Sequence, residues 1–102
     1  MAEVRVTSAS EVPEGEVRGF DVEGTAVAVA NVGGGMQAFH NECTHKRCTL
    51  DDGDVEEGAI VCACHGSAFD LRSGEVRNPP ATEGIAVYPV RVDGDDVYVD
   101  LG

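Results

Sequence analysis

The sequence predicts an all-β fold, namely an antiparallel β-domain that carries an insert held together by metal. Short valine-rich runs alternate with Gly, Pro and Asp along the chain, and no stretch shows a sustained helical period. The length of 102 residues suits one domain with one modest core. We therefore expect a single domain over residues 1–102.

The outer strands are predicted near both ends of the chain, where apolar residues recur at short spacing. Residues 3–7, 16–22, 25–32, 36–40, 85–92 and 96–101 are the predicted strands. A tight turn is expected at Glu23 and Gly24, and Asp93-Gly94-Asp95 is a strong hairpin signal. These strands form the expected base, at about residues 1–40 and 83–102.

The middle of the chain, at about residues 41–82, is rich in Gly and Asp and has few large apolar residues. Such a segment cannot offset its ordering entropy by burial alone, so we expect a cross-link within it. All four cysteines and two of the three histidines lie there, in the stretches CTHKRC (43–48) and CACHGS (62–67). This clustering predicts a metal-binding subdomain inserted between the base strands.

Charge narrows the possible partners. Nineteen acidic and seven basic residues give a formal charge of −12, which repels nucleic acid and anionic lipid surfaces. We find neither an export signal nor an apolar run long enough to cross a membrane, so we expect a cytoplasmic protein without membrane contact. In that setting, clustered cysteines indicate metal binding more than a disulfide framework.

The candidate ligands form a Cys-x-His pair followed by a Cys-x-x-His pair. They are Cys43, His45, Cys62 and His65. A structural zinc site could use these four, although it would leave Cys48 and Cys64 without a role. Haem attachment needs Cys-x-x-Cys-His, which CACH does not match. A [2Fe-2S] cluster with two cysteines on one iron and two histidines on the other fits the same residues, so zinc and iron–sulfur both remain open.

Longer motifs favour the iron–sulfur interpretation. CTHKRC and CACHGSAFD resemble the two cluster-binding loops of the Rieske iron–sulfur family, and NPPAT at 78–82, which includes Pro79, resembles its proline-containing third loop. The resemblance implies a Rieske-type antiparallel β-sandwich or barrel with an inserted cluster-binding subdomain and one [2Fe-2S] cluster per chain. The implied ligands are Cys43 and Cys62 on the inner iron, and His45 and His65 on the outer iron.

The resemblance also implies roles for residues around the cluster. Cys48 and Cys64 match positions that form a disulfide between the loops in cytochrome bc-type members. Small Gly66 and hydroxyl-bearing Ser67 would let hydrogen-bond donors reach the cluster. Phe69 stands where high-potential members carry Tyr, which implies a potential below theirs and above that of typical low-potential ferredoxins.

A cluster of this kind implies one-electron transfer by a soluble ferredoxin, monomeric when free, that carries electrons from a reductase to an oxygenase. Apart from the implied ligands, His40 is the remaining histidine, so a second iron site is not expected and the chain is not an enzyme alone. Lys46 and Arg47 would make the histidine end locally basic, which would suit an acidic recess on a partner. Two solvated side chains without a partner preference are an equal alternative. The alternatives are a small Rieske subunit of an arsenite oxidase or nitrite reductase type enzyme, and a zinc-stabilised interaction module.

Overall fold

The structure is a computed structural model and describes residues 3–33, 35–42, 48–63, 66–78 and 84–101. Its strands are β1 (Glu3–Ser8), β2 (Val17–Val22), β3 (Thr25–Val32), β4 (Gly35–His40), β5 (Asp54–Glu56), β6 (Ala59–Val61), β7 (Ala68–Asp70), β8 (Val76–Asn78), β9 (Val87–Tyr88), β10 (Val90–Asp93) and β11 (Asp96–Asp100). Two 3-10 turns, Ala9–Glu11 and Leu50–Asp52, are the helical segments within these ranges, so the all-β prediction is confirmed. No helix in the described ranges is long and apolar enough to cross a membrane.

The strands form three antiparallel sheets. Sheet A has the order β1-β11-β10, sheet B the order β2-β3-β4-β9, and sheet C the order β5-β6-β7-β8. One apolar cluster joins sheet A to sheet B, and includes Val99 and Val29. A second joins sheet B to sheet C, and includes Phe39 and Ile60. Sheet B therefore lies between the other two.

Strand β3 is buried on both faces, and this explains its almost continuous run of small apolar residues. Val27 and Val29 pack into the cluster shared with sheet A. Ala28 and Ala30 point the other way and pack into the cluster shared with sheet C. Successive side chains of a strand face opposite sides of a sheet, so both sets must be apolar in a central layer.

The prediction of one strand over residues 85–92 is wrong, because the chain changes sheets at Pro89. Tyr88 pairs with Ala38 in sheet B, whereas Val90 pairs with Val99 in sheet A. Proline has no backbone N–H and cannot donate to a strand ladder, which makes it a natural boundary between two strands. Its carbonyl is still used, since it accepts a hydrogen bond of 2.9 Å from the backbone N–H of Asp100.

Two hairpins each have the dipeptide Glu-Gly at the turn. Glu23 and Gly24, predicted as a turn, have φ angles of 51° and 83° and connect β2 to β3. Glu57 and Gly58, with φ angles of 49° and 76°, connect β5 to β6 in the same way. Two successive positive φ angles are typical of the tight turn that matches strand twist. The second turn, like all of sheet C, was not predicted as regular structure.

The middle segment has its own sheet because its few large apolar residues are concentrated on one side. Leu50, Ile60, Phe69 and Leu71 are at most 2% exposed, and all pack toward sheet B. Burial of such side chains is worth about 1.5–3 kcal/mol each. Sheet C is thus attached to the base by apolar packing.

Candidate metal centre

The structure describes part of the predicted site. Cys62, Gly66, Ser67, Phe69 and Cys48 are among the described residues. Outside them lie Cys43, His45, Lys46, Arg47, Cys64, His65 and Pro79. Of the four predicted ligands, Cys62 is therefore the one that lies among the described residues.

Backbone hydrogen bonds join the described ends of the loop that connects β6 to β7. The backbone N–H of Cys62 donates to the Ser67 carbonyl at 2.7 Å, and the N–H of Gly66 donates to the Cys62 carbonyl at 2.9 Å. Gly66 has a φ of +75°, a left-handed conformation that glycine adopts without steric strain. Because Val61 pairs with Ala68 next to these hydrogen bonds, Cys62 lies at the end of the β6–β7 hairpin.

Cys62 suits a metal-cluster ligand. Its thiol is free and the residue is 1% exposed, in the same apolar cluster as Ile60, Phe69 and Leu71. A buried thiolate without a counter-charge is unfavourable, and coordination by iron removes that penalty. Ser67 in the same loop is fully buried, so its polar groups also face the interior. The residues described here therefore fit a [2Fe-2S] group, with a thiolate donor at the start of a closed loop.

The residues just before and after the first Cys/His stretch are hydrogen-bonded to each other and to sheet B. These residues were not identified from the sequence. The Asn41 side-chain oxygen accepts a hydrogen bond of 2.8 Å from the backbone N–H of Asp51, and the Asn41 N–H donates to the Ala26 carbonyl at 3.0 Å. A Cβ on Gly19 would overlap the Asp51 carboxylate and the Asn41 amide, so a larger residue in β2 would have to displace these two side chains. A glycine inside a strand often marks a place where another segment approaches closely. Gly19 was therefore the feature of the sequence that could have indicated this contact.

A second set of polar contacts secures β8, which leads into the predicted third loop. Arg77 donates to Asp70 Oδ2 at 2.7 Å and to the Glu57 carbonyl at 2.8 Å. The Arg77 guanidinium, followed by the Arg72 backbone N–H, holds the pKa of Asp70 below its ordinary value of 3.8. The Asn78 side chain also donates to the Gly66 carbonyl at 3.4 Å, which connects β8 to the Cys62 loop.

The third histidine has a local partner. His40 Nε2 lies 4.0 Å from Glu42 Oε1, and its side chain is 39% exposed. The backbone N–H of His40 donates to the Ala86 carbonyl at 2.9 Å. His40 is thus joined through its backbone to the segment before β9, and its half-exposed imidazole lies near one carboxylate.

Fold and site together define a class, namely a small all-β domain with a buried, free cysteine at the start of a hydrogen-bonded loop. The Rieske [2Fe-2S] domain family matches residues 2–89, and the chain belongs to that family. The chain is 38% identical over 102 residues to the biphenyl dioxygenase ferredoxin subunit of Pseudomonas sp. (strain KKS102), covering 99% of this chain and 94% of the relative.

Solved structures agree with this assignment. The ferredoxin of carbazole 1,9a-dioxygenase from Nocardioides aromaticivorans IC177 superposes with a TM-score of 0.91 at 33% identity, covering 97% of each chain. A complex of reduced oxygenase and oxidized ferredoxin in carbazole 1,9a-dioxygenase contains a chain that matches with a TM-score of 0.89 at 32% identity, covering 95% of this chain and 91% of that one.

Family membership decides between the two metals that the ligand types left open. The cofactor is one [2Fe-2S] cluster, and the zinc interpretation is set aside. The protein is an electron carrier of the ferredoxin type, a component and not an oxygenase by itself.

Proposed function

We propose that this chain carries single electrons from a reductase to the terminal oxygenase of a multicomponent dioxygenase. The observation that carries the proposal is the extent of the match, which covers 99% of this chain and 94% of a dioxygenase ferredoxin subunit. The similarity thus extends over nearly the whole length of the relative. A similar ferredoxin also occurs in a complex with its oxygenase. This favours the free carrier over a subunit of an arsenite oxidase or nitrite reductase type enzyme.

We propose that four residues hold the cluster: Cys43 and Cys62 on the inner iron, and His45 and His65 on the outer iron. Support comes from Cys62, whose free thiol is buried at the start of a hydrogen-bonded loop. When bound, the cluster supplies reversible one-electron transfer. In this scheme, Phe69 excludes water from the side of the cluster that Cys62 binds. Gly66 and Ser67 orient the loop that carries Cys62. Pro79 would close the third side.

We also propose a Cys48–Cys64 disulfide between the two loops. Cys48 is half-buried against the core shared with sheet C and is not a free thiol, whereas Cys62 is free. With Cys43 used as a ligand, Cys64 remains as the partner. Alkylation of the unfolded protein under non-reducing conditions tests this, because the disulfide leaves two fewer cysteines open to the reagent. Full labelling of all four cysteines without a reductant contradicts it.

The proposed organisation is a single domain over residues 1–102, with a base at about 1–40 and 83–102 and a cluster-binding subdomain at about 41–82. The separate sheet formed by β5, β6, β7 and β8 supports this division. We propose a cytoplasmic location for a carrier that is monomeric when free. A formal charge of −12 keeps such a carrier dispersed as it moves between partners.

The test begins with anaerobically purified protein and its electron paramagnetic resonance spectrum after reduction with dithionite. A Rieske-type signal that Cys62→Ser abolishes and Ser73→Ala retains supports the site. The protein then replaces the ferredoxin in an assay with the reductase and oxygenase of the biphenyl system, and product is measured against NADH consumed. A normal signal with no reduction by the reductase and no product contradicts the proposed role and leaves the cluster assignment intact.

A further inference from the structure

Arg72 differs from the other described arginines, because it lacks an acidic partner. The remaining four form ion pairs: Arg5 with Asp96, Arg18 with Glu16, Arg77 with Asp70, and Arg91 with Glu3. The chain has 19 acidic residues against seven basic ones, so an arginine would be expected to meet a carboxylate. Within the described ranges, the exposed Arg72 guanidinium has neither an ion pair nor a side-chain hydrogen bond.

Arg72 borders a groove between sheet B and the turn that follows β7. The groove consists of two adjoining cavities of about 420 Å³ and 240 Å³, which share Gln37, Leu71 and Arg72. Apolar walls come from Met36, Val87 and their neighbours. We call it the Arg72 groove, and define it by Met36, Gln37, Leu71, Arg72, Val87 and Tyr88. None of the described residues lining either cavity is Asp or Glu.

Two further polar side chains line the groove without a described side-chain hydrogen bond, Gln37 and Tyr88. Partial burial raises the pKa of the Tyr88 phenol above its ordinary value of 10.0, so the hydroxyl stays protonated and can donate. The groove therefore offers a guanidinium, an amide and a phenol beside apolar walls. This set complements a carboxylate next to apolar groups, because arginine and hydroxyl donors suit carboxylate oxygens.

The groove lies away from Ser67, the end of the loop that begins at Cys62. Strand β7 begins directly after Ser67 and ends at Asp70, and Leu71 and Arg72 follow in the next turn. A strand advances about 3.3 Å per residue, so the turn lies roughly 10 Å or more along the chain from the Cys62–Ser67 loop. A partner bound at this turn need not cover that loop.

We propose that the Arg72 groove binds an extended segment of a partner protein that carries a carboxylate side chain between apolar residues. The carboxylate pairs with Arg72, while the apolar neighbours pack on Met36, Leu71 and Val87. A segment bound here tethers the partner at a distance from the cluster and raises the effective concentration of its electron-transfer surface. The groove binds this segment whichever protein exchanges electrons at the cluster, so this proposal is independent of the proposed donor and acceptor.

The experiment selects phage-displayed random 12-residue peptides on immobilised wild-type holoprotein and, in parallel, on Arg72→Gln, and keeps the sequences that are enriched more strongly on wild type. Labelled copies of the enriched peptides are then titrated by fluorescence anisotropy against wild type, Arg72→Gln, Tyr88→Phe and Arg18→Gln. Arg18→Gln removes the same charge from β2 and is the matched control. The visible spectrum and thermal midpoint of each variant confirm that it is folded and retains the cluster.

The expected peptides carry Asp or Glu beside apolar residues and bind Arg72→Gln about three- to fivefold more weakly, as for one exposed ion pair. Tyr88→Phe weakens binding by a smaller factor, and Arg18→Gln leaves it unchanged. The proposal fails if no peptide is enriched on wild type over Arg72→Gln, if the enriched peptides lack a carboxylate, or if they bind Arg72→Gln as tightly as wild type. If hexanoate displaces the peptides at a concentration similar to that of the peptide itself, the groove is a site for small carboxylates. That result would overturn the protein segment as occupant.

Discussion

Replacing Gly74 with alanine is expected to disrupt the contact between the turn after β7 and the segment that leads into β9. Gly74 is buried with a φ of +81°, and a Cβ built there would lie 2.1 Å from the Ile85 carbonyl oxygen. The same two residues are joined by a hydrogen bond of 2.9 Å from the Ile85 N–H to the Gly74 carbonyl. A methyl group at Gly74 therefore requires this backbone contact to separate by more than 1 Å, roughly, to reach ordinary van der Waals distance.

The expected destabilisation has two parts. The left-handed conformation costs an alanine about 1–2 kcal/mol. Separation of the two segments weakens the Ile85–Gly74 hydrogen bond and leaves buried backbone groups without partners, at a further cost of about 1–3 kcal/mol. We expect a total loss of about 2–5 kcal/mol in the free energy of unfolding.

Gly15 provides a matched control. Its φ is +82°, almost the same as that of Gly74, but a Cβ there would meet nothing within 4 Å. Gly15→Ala should therefore show the conformational part alone. The difference between the two variants isolates the steric part, which corresponds to a shift of the thermal midpoint on the order of 10 °C for a domain of this size.

The assay is thermal unfolding of the holoprotein at one fixed heating rate. Far-ultraviolet circular dichroism follows the strands, and visible absorbance follows the cluster. If Gly74→Ala unfolds within error of Gly15→Ala, the close contact with Ile85 does not limit stability and the argument is refuted.

Three further predictions concern the site and its support. Because Arg77 holds the pKa of Asp70 below 3.8, the stabilisation is present above pH 3.8 and is lost as pH falls through the lower folded-state value. Asp70→Asn should thus lower the urea midpoint of unfolding at pH 7, and the difference in midpoint from wild type should disappear in acid. A difference that stays constant with pH contradicts this. Ser67→Ala should lower the reduction potential by roughly 65–130 mV in protein-film voltammetry, as for one lost hydrogen bond to a charged group, while exposed Ser73→Ala leaves it unchanged. An unaltered Ser67→Ala potential excludes donation toward the cluster. Leu50→Ala, at a fully buried position, should cost about 2–5 kcal/mol in urea unfolding. Val92→Ala, which is 44% exposed, should cost far less; equal costs would rule out a core role for Leu50.

The local turn chemistry was predictable where the sequence offered a recognisable signal. Glu23-Gly24 lies between two apolar runs, and both residues adopt positive φ as a tight hairpin requires. The same dipeptide at Glu57-Gly58 was not recognised, because the runs beside it are three residues long. Such short strands acquire stability from neighbours in sheet C and from packing on sheet B, which a local pattern does not contain.

Pairing partners were harder to predict than strands. The alternating pattern over residues 85–92 indicated extended structure correctly, but it did not show that Val87 and Val90 belong to different sheets. The support of the first loop by Gly19, Asn41 and Asp51 likewise depends on residues brought together only by folding. In both cases the deciding contacts lie far apart in the chain.

The sequence by itself determined the chemistry of this protein: the thiol and imidazole types, their spacing, the acidic charge and the family they indicate. Those properties reside in residues close together along the chain, so they can be recognised before folding. Only the tertiary structure decided which face of β3 meets which sheet, where the chain leaves sheet B at Pro89, and that Arg72 lacks a carboxylate partner among the described residues. These outcomes depend on packing and charge pairing between distant segments, and folding alone brings those segments within contact distance.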